Sequence, residues 1–158
     1  WIAVGKQTLL TDRPQLDNRL FPGVSPEKLI FAGKQCFDTT GIPAVETGNC
    51  MLLTAQPDVS FPWVSIPADV LGNLRTTLEW LYRQHACGSI LVEGGARLLQ
   101  AFWNENLWDE CWRIEAPVLL GAGIPAPEMI LQEPMDSVLV HTGAFGKDIF
   151  RHFQKKCL

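Results

Sequence analysis

Four short apolar runs punctuate the chain: WIAV at residues 1–4, KLIFAG at 28–33, CMLLTA at 50–55 and SILVE at 89–93. Each is too brief for a core helix, and KLIFAG and CMLLTA are bounded by Gly, Pro and Asn, so they read as strands buried on both faces. Strands of that kind need helices to cover them. In LGNLRTTLEWLYRQH, Leu71, Leu74, Leu78 and Leu81 recur at spacings of three and four, which predicts an amphipathic helix of three to four turns packed by its leucine stripe. Trp80 and the other aromatic residues nearby belong to the core or its rim.

After WIAV and Gly5, the segment KQTLLTDRPQLDNR predicts a short helical turn stopped ahead of Pro14, then polar loop. SILVE predicts a buried strand, ARLLQAFWNEN a second helix, and ECWRIEAPVLL another strand ending in the loop GAGIPAP. That order predicts a βαβ unit with a parallel core. The tail differs: DSVLVHTGAFGKDIFRHFQ holds two short runs around a Gly-containing turn, with period-two alternation in Ile149, Arg151 and Phe153, and predicts an antiparallel hairpin closing the sheet. The expected fold is therefore mixed α/β, with a mostly parallel central sheet flanked by helices and a C-terminal antiparallel hairpin. At 158 residues the chain can bury one sizeable core and is short for two ordinary domains, so a single domain over residues 1–158 is expected. It opens without Met, inside an apolar run, which predicts a fragment truncated at its N-terminus.

A formal charge of −4 and a pI near 5.3 are the opposite of a surface built to neutralise a nucleic-acid backbone, so no polymeric nucleic acid is expected as a partner. A small phosphorylated ligand remains compatible, because a few Arg, Lys or backbone N–H groups suffice to hold it. No apolar run approaches the roughly 20 residues of a membrane span and no signal peptide opens the chain, so a soluble, cytoplasmic protein with no membrane contact is expected. Cys36, Cys50, Cys87, Cys111 and Cys157 are scattered, with no C-x-x-C pair, and read as reduced thiols rather than metal ligands. His85, His141 and His152 make no metal pattern, and no nucleophile elbow appears, so neither a metal nor a catalytic side chain is assigned.

Two clusters carry the candidate chemistry. In VEGGARLL, Glu93 ends an apolar strand, and Gly94 and Gly95 open a helix at the carboxyl end of a parallel strand, where ligands of open α/β sheets bind. Glycine there permits close approach of a phosphate to the helix N-terminus. A plain strand-to-helix turn also favours glycine, and Glu93 could equally be a cap or part of a structural salt bridge. The second cluster, TLLTDRPQLDNR, offers Thr8, Asp12 and Arg19 in a loop region, with Arg19 able to pair a phosphate or simply to sit in solvent. A carboxylate, a phosphate-compatible turn and no nucleophile suit chemistry carried by a cofactor, such as hydride transfer.

At these two clusters the chain resembles a known family, the reductase half of the bifunctional deaminase/reductase of riboflavin biosynthesis, which has the dihydrofolate reductase-like fold. AVGKQTLLTDRPQLDNR resembles that family's V-G-x-x-T-x-x-x-D-x-P-x-L-x-x-R, and ILVEGGARLLQAF…LWDECWRIEAPVLLGAG resembles its V-E-G-G-x-x-L…D-E…x-A-P-x-L-L-G. The resemblance covers nearly the whole chain. It implies reduction of 5-amino-6-(5-phosphoribosylamino)uracil to its ribitylamino product, with NADPH as hydride donor and no metal. It further implies that Thr8 and Asp12 contact the cofactor and that Leu16, Arg19 and Glu93 contact the substrate. Gly94, Gly95, Ala96, Arg97, Leu98 and Leu99 match the turn and helix start that bind the cofactor's phosphates, a match running on to Ala101. A homodimer is implied as well, and a fused or associated zinc deaminase domain outside this chain.

Three departures accompany the resemblance. Ala32 and Gly33 replace the family's usual Asp-Ser after the second strand, Arg13 stands where a second acid is common, and the family's first strand and helix have no counterpart before Trp1. That last departure predicts a fragment unable to turn over alone. Two other readings stay open: a dihydrofolate or other pterin reductase on the same fold, and a non-catalytic nucleotide-binding or dimerisation module.

Overall fold

The computed structural model describes residues 1–60, 62–119, 121–123, 127, 134 and 136–156. The chain divides into two compact units, Trp1–Leu99 and Gln100–Leu158. The first is built on a parallel sheet. Its elements are β1 (Ile2–Gly5), α1 (Lys6–Asp12), β2 (Lys28–Gly33), α2 (Pro43–Glu46), β3 (Cys50–Thr54), β4 (Trp63–Ser65), α3 (Ala68–Leu71), α4 (Leu74–His85) and β5 (Leu91–Gly94), followed by the start of α5 (Ala96–Asn104). The sheet order is β4-β3-β2-β1-β5, every pairing parallel.

Burial on both faces follows from period-two side-chain direction along each strand. Ile2, Val4, Ile30 and Leu52 point to one face, where they pack with Leu9 of α1, Leu16 and Ile42, and Ala3, Leu29 and Leu53 point to the other, where Leu81 of α4, Ile66 and Cys87 cover them. The predicted leucine stripe is real but broken. Leu71 ends α3, and Asn73 starts α4 afresh by accepting a hydrogen bond from the Thr76 N–H at 3.0 Å, the role of an N-cap residue. Thr77 ties the two pieces together by donating to the carbonyls of Val70 and Asn73 at 2.7 and 3.0 Å.

One charged side chain is buried at the amino-terminal edge of this sheet. Lys28, 3% exposed, opens β2 and donates to the carbonyls of Ala44 and Gly48, each at 3.1 Å, and to the Thr47 hydroxyl at 2.6 Å. The ammonium thus spends all three donors around the C-terminal end of α2, which is what makes its burial tolerable.

The second unit holds an antiparallel sheet of order β6-β8-β7, formed by β6 (Glu110–Glu115), β7 (Ser137–Phe145) and β8 (Asp148–Lys155). The expected hairpin is present but does not close the parallel sheet, being part of this separate one: β7 and β8 are joined across the turn Gly146–Lys147, where Gly146 has φ 62° as a tight two-residue hairpin requires. The expected parallel βαβ unit is not formed. SILVE and ECWRIE are strands joined by a helix, but β6 takes β8 as its partner, antiparallel, with Trp112 opposite His152 and Ile114 opposite Phe150. The Phe150 ring occupies the space that a side chain on Gly143, its cross-strand partner, would need. His152 stacks on Trp112 with ring centroids 4.1 Å apart and meets the Glu110 carboxylate at 3.0 Å. On the opposite face Arg113 and Arg151 both pair with Glu115, whose carboxyl the Arg151 hydrogen bond holds below its usual range. Residues 124–126 of the GAGIPAP loop and Cys157 lie outside the described residues.

Candidate functional site

The carboxyl ends of β5, β1 and β2 lie side by side, because β1 is the central strand of the three. Two of these ends are irregular. Opposite β1, the β5 register jumps from Ala3↔Val92 to Val4↔Gly94, so Glu93 is the extra residue of a bulge; opposite β3, β2 jumps from Phe31↔Leu53 to Gly33↔Thr54, leaving Ala32 extra. Bulges are rare in parallel pairs and re-aim side chains near ligand sites. Here they flank the central strand. Glu93 is exposed, so the buried strand end expected for it is not found: β5 has a single hydrogen-bonded neighbour in its sheet, and the bulge turns the carboxylate toward solvent rather than into the core.

The two sequence clusters meet at this rim. A side chain on Gly94 would approach Thr8 Cγ2 to 3.0 Å, and one on Gly95, whose φ is 87°, would approach Thr8 Oγ1 to 3.0 Å. The glycines are thus required where the first turn of α1 packs on the β5–α5 turn. Thr8 and Asp12 stand one turn apart on a single face of α1. Leu98 fits against Gly5, its Cβ 3.9 Å from where a Gly5 side chain would begin. The Gly95 carbonyl accepts from the N–H groups of Leu98 and Leu99 at 2.9 and 3.1 Å, closing the first turn of α5 and setting the Ala96 and Arg97 N–H groups ahead of the helical ladder. That cradle of bare backbone and early helical N–H groups fits an anionic phosphate.

The remaining predicted residues are placed differently. Leu16 is 7% exposed, packed in the core with Ile2, Val4 and Leu9, and held at φ 53°. Arg19 pairs with Asp17, Nε to Oδ1 at 2.9 Å, with over half of its side chain exposed. Arg13 caps α1 in the left-handed conformation, φ 47°, its N–H bonded to the Leu9 carbonyl at 3.2 Å. Among the described residues no cluster of three or more His, Cys, Asp or Glu side chains could hold a metal, and no helix is long and apolar enough to cross a membrane.

The profile of the RibD C-terminal domain family matches residues 1–150. The chain belongs to that family. A curated relative, the riboflavin biosynthesis protein RibD of Chlamydia muridarum, is 30% identical over 124 residues, which takes in 67% of this chain and 32% of that protein. Among solved structures, the diaminohydroxyphosphoribosylaminopyrimidine deaminase/5-amino-6-(5-phosphoribosylamino)uracil reductase of Thermotoga maritima superposes with a TM-score of 0.80 at 21% identity, over 98% of this chain and 45% of that one. RibD of Acinetobacter baumannii gives 0.75 at 22%, over 98% and 46%. The riboflavin biosynthesis reductase Rib7 of Saccharomyces cerevisiae gives 0.71 at 18%, over 97% and 74%. The chain spans about a third of the curated relative and less than half of the first two solved proteins. The dihydrofolate reductase-like fold is borne out.

Of the two residues between Gly5 and Thr8, neither signalled by the sequence as a site residue, Lys6 has a distinctive contact. Its Nζ lies over the Phe37 ring, 4.9 Å from the centroid, and that ring meets Trp63 edge-on at 4.9 Å. Nothing in the local spacing signals this contact, since Phe37 comes from the loop after β2. The bulge at Glu93 was equally unreadable, because register is set by the neighbouring strand.

Proposed function

We propose that this chain is the reductase domain of a riboflavin-pathway enzyme, over residues 1–158, reducing 5-amino-6-(5-phosphoribosylamino)uracil to 5-amino-6-(5-phosphoribitylamino)uracil with NADPH. The observation that carries the reading is the meeting of Thr8 with Gly94 and Gly95, which brings both family motifs to one rim at the carboxyl ends of β1 and β5. The Ala96 and Arg97 N–H groups would receive the cofactor's phosphates, with Thr8 and Asp12 beside them on α1. When bound, the nicotinamide supplies the hydride. The protein's own part is positional: Glu93, turned outward by its bulge, would accept N–H groups of the uracil ring, and Arg19, on releasing Asp17, would hold the substrate phosphate. Leu16 would support that loop from the core. No side chain is assigned as proton donor.

A homodimer goes with this reading. Trp112 and Ile114, 57% and 73% exposed, share one face of the antiparallel sheet with Phe150, and exposed Val138 and Phe145 on β7 extend it. These exposed apolar side chains, interspersed on that face with Glu110, His152, Gln154, His141 and Asp148, fit burial against a second copy. The free thiols Cys36, Cys50, Cys87 and Cys111 fit a reducing cytoplasmic setting, and a zinc deaminase domain beyond this chain is part of the proposal, as is the absence of any nucleic-acid or membrane partner.

The test is NADPH oxidation with the ribosylamino-pyrimidine phosphate, in this chain and in one extended upstream by the family's first strand and helix. Turnover by the extended form supports the reductase; NADPH binding without turnover in either form points to a different substrate or a binding module. Glu93→Gln in the active form should raise KM for the pyrimidine about tenfold, the order expected for one hydrogen bond to a charged group, with the melting temperature unchanged. An unaltered kcat/KM would remove Glu93 from the site.

A further inference from the structure

We infer that Lys6 is a phosphate-positioning cation of this site, an inference that rests on the reductase reading above. Lys6 is the first residue of α1, directly after the carboxyl end of β1. Its neighbours on either side in the sheet are β5, with the Gly94–Gly95 turn, and β2, with the loop that carries Phe37. Thr8 and Lys6, two residues apart on α1, face opposite ways: Thr8 meets the glycine turn, and Lys6 reaches the Phe37 ring. Strand spacing sets the carboxyl ends of β5 and β2 about 10 Å apart on either side of β1, and Lys6 opens α1 between them, its ammonium resting on a Phe37 ring that packs against the core and Trp63.

The ammonium is held in place without being neutralised. Phe37 is braced by Trp63, and among the described residues no ion pair involves Lys6. Asp38 of the same loop is committed elsewhere, accepting from the Thr40 N–H at 2.9 Å and its hydroxyl at 2.6 Å, and Glu46 at the end of α2 accepts from the Gly41 N–H at 2.8 Å. Those Thr40 bonds hold the Asp38 carboxyl below its usual range, so it stays ionised where it is. In a chain of net charge −4, a half-buried cation parked on an aromatic face at the ligand rim retains its charge for an anion. The phosphates of the cofactor and the phosphate of the substrate present the same chemistry to it.

The experiment measures the dissociation constant for NADPH by fluorescence and KM for the phosphoribosylaminouracil, in the full-length protein and its Lys6→Gln and Lys6→Arg variants. Lys6→Gln should weaken one of the two about tenfold, with Lys6→Arg restoring most of the loss and added salt shrinking the difference. A change confined to NADPH assigns Lys6 to the cofactor's phosphates, and one confined to KM assigns it to the substrate's. If the parent binds and turns over while both constants survive Lys6→Gln, the inference is overturned. A drop in melting temperature alone would overturn it too, making Lys6 a staple between α1 and the β2 loop. A parent that neither binds NADPH nor turns over overturns the reductase reading and Lys6's role with it.

Discussion

The two ends of the parallel sheet handle charge in opposite ways. At the amino-terminal edge, Lys28 is buried and gives all its donors to Ala44, Thr47 and Gly48. At the carboxyl-terminal edge, Lys6 rests on an aromatic ring, Glu93 sits on a bulge facing solvent, and the first N–H groups of α5 lie beyond its helical ladder. The same side-chain type is consumed by the fold at one end and left available at the other. Polar groups satisfied internally contribute stability and offer nothing to a ligand; groups the fold leaves unsatisfied keep their capacity for binding.

The contrast breaks most visibly at Gly95. Valine there must adopt φ 87°, a conformation that costs a β-branched residue about 1–3 kcal/mol, and its Cβ would stand 3.0 Å from Thr8 Oγ1. Gly95→Val should lower stability by about 2 kcal/mol and reduce NADPH affinity by about a hundredfold, since displacing Thr8 and closing the backbone approach act on the same ligand. Denaturant unfolding and fluorescence titration read the two effects separately. NADPH affinity untouched by the substitution would take the turn out of the cofactor site.

Lys28 supplies the opposite signature. Lys28→Met keeps most of the apolar stem but leaves the buried Ala44 carbonyl and the part-buried Thr47 and Gly48 oxygens without this donor, a loss of about 2 kcal/mol. Affinity for NADPH should hold within twofold of the parent, because Lys28 lies at the edge away from the rim. A large loss of affinity with little loss of stability would erase the division of labour between the two edges.

The division was only half legible in the sequence. KLIFAG and CMLLTA declared themselves as strands because burial on both faces demands nearly continuous apolar residues, and both faces are indeed covered. The pairing of ECWRIE was misjudged because local order, strand then helix then strand, says nothing of a partner contributed from the tail; the alternation of Trp112 and Ile114 with Cys111 and Arg113 was the clue to a sheet with one open face. Asn73 with Thr76 was a readable cap that splits the leucine-striped helix. At the candidate site the depths were not legible: Glu93 turned outward through a bulge, and Leu16 turned inward at a positive φ, both decided by contacts with distant strands.

Cys50 gives the smallest and most local test of how tightly the amino-terminal edge is sealed. It opens β3, is 2% exposed, and pairs in register with Lys28. Burial pushes its thiol up to about 11, with the Lys28 charge opposing that rise. A folded-state pKa above the unfolded value of about 8.5 means that this stabilising difference is fully present below pH ~8.5 and is lost as pH climbs through about 11. Cys87 and Cys111 are raised by burial in the same sense, so the wild-type curve alone does not isolate Cys50. Comparing the pH slope of unfolding free energy between wild type and Cys50→Val does, because the variant keeps an apolar side chain while removing one titrating group. The expected result is a shallower decline above pH ~8.5 in the variant, with NADPH affinity the same in both proteins. Equal slopes would mean that the thiol ionises as readily in the folded chain as in the unfolded one, and that water reaches the Lys28 end of the sheet.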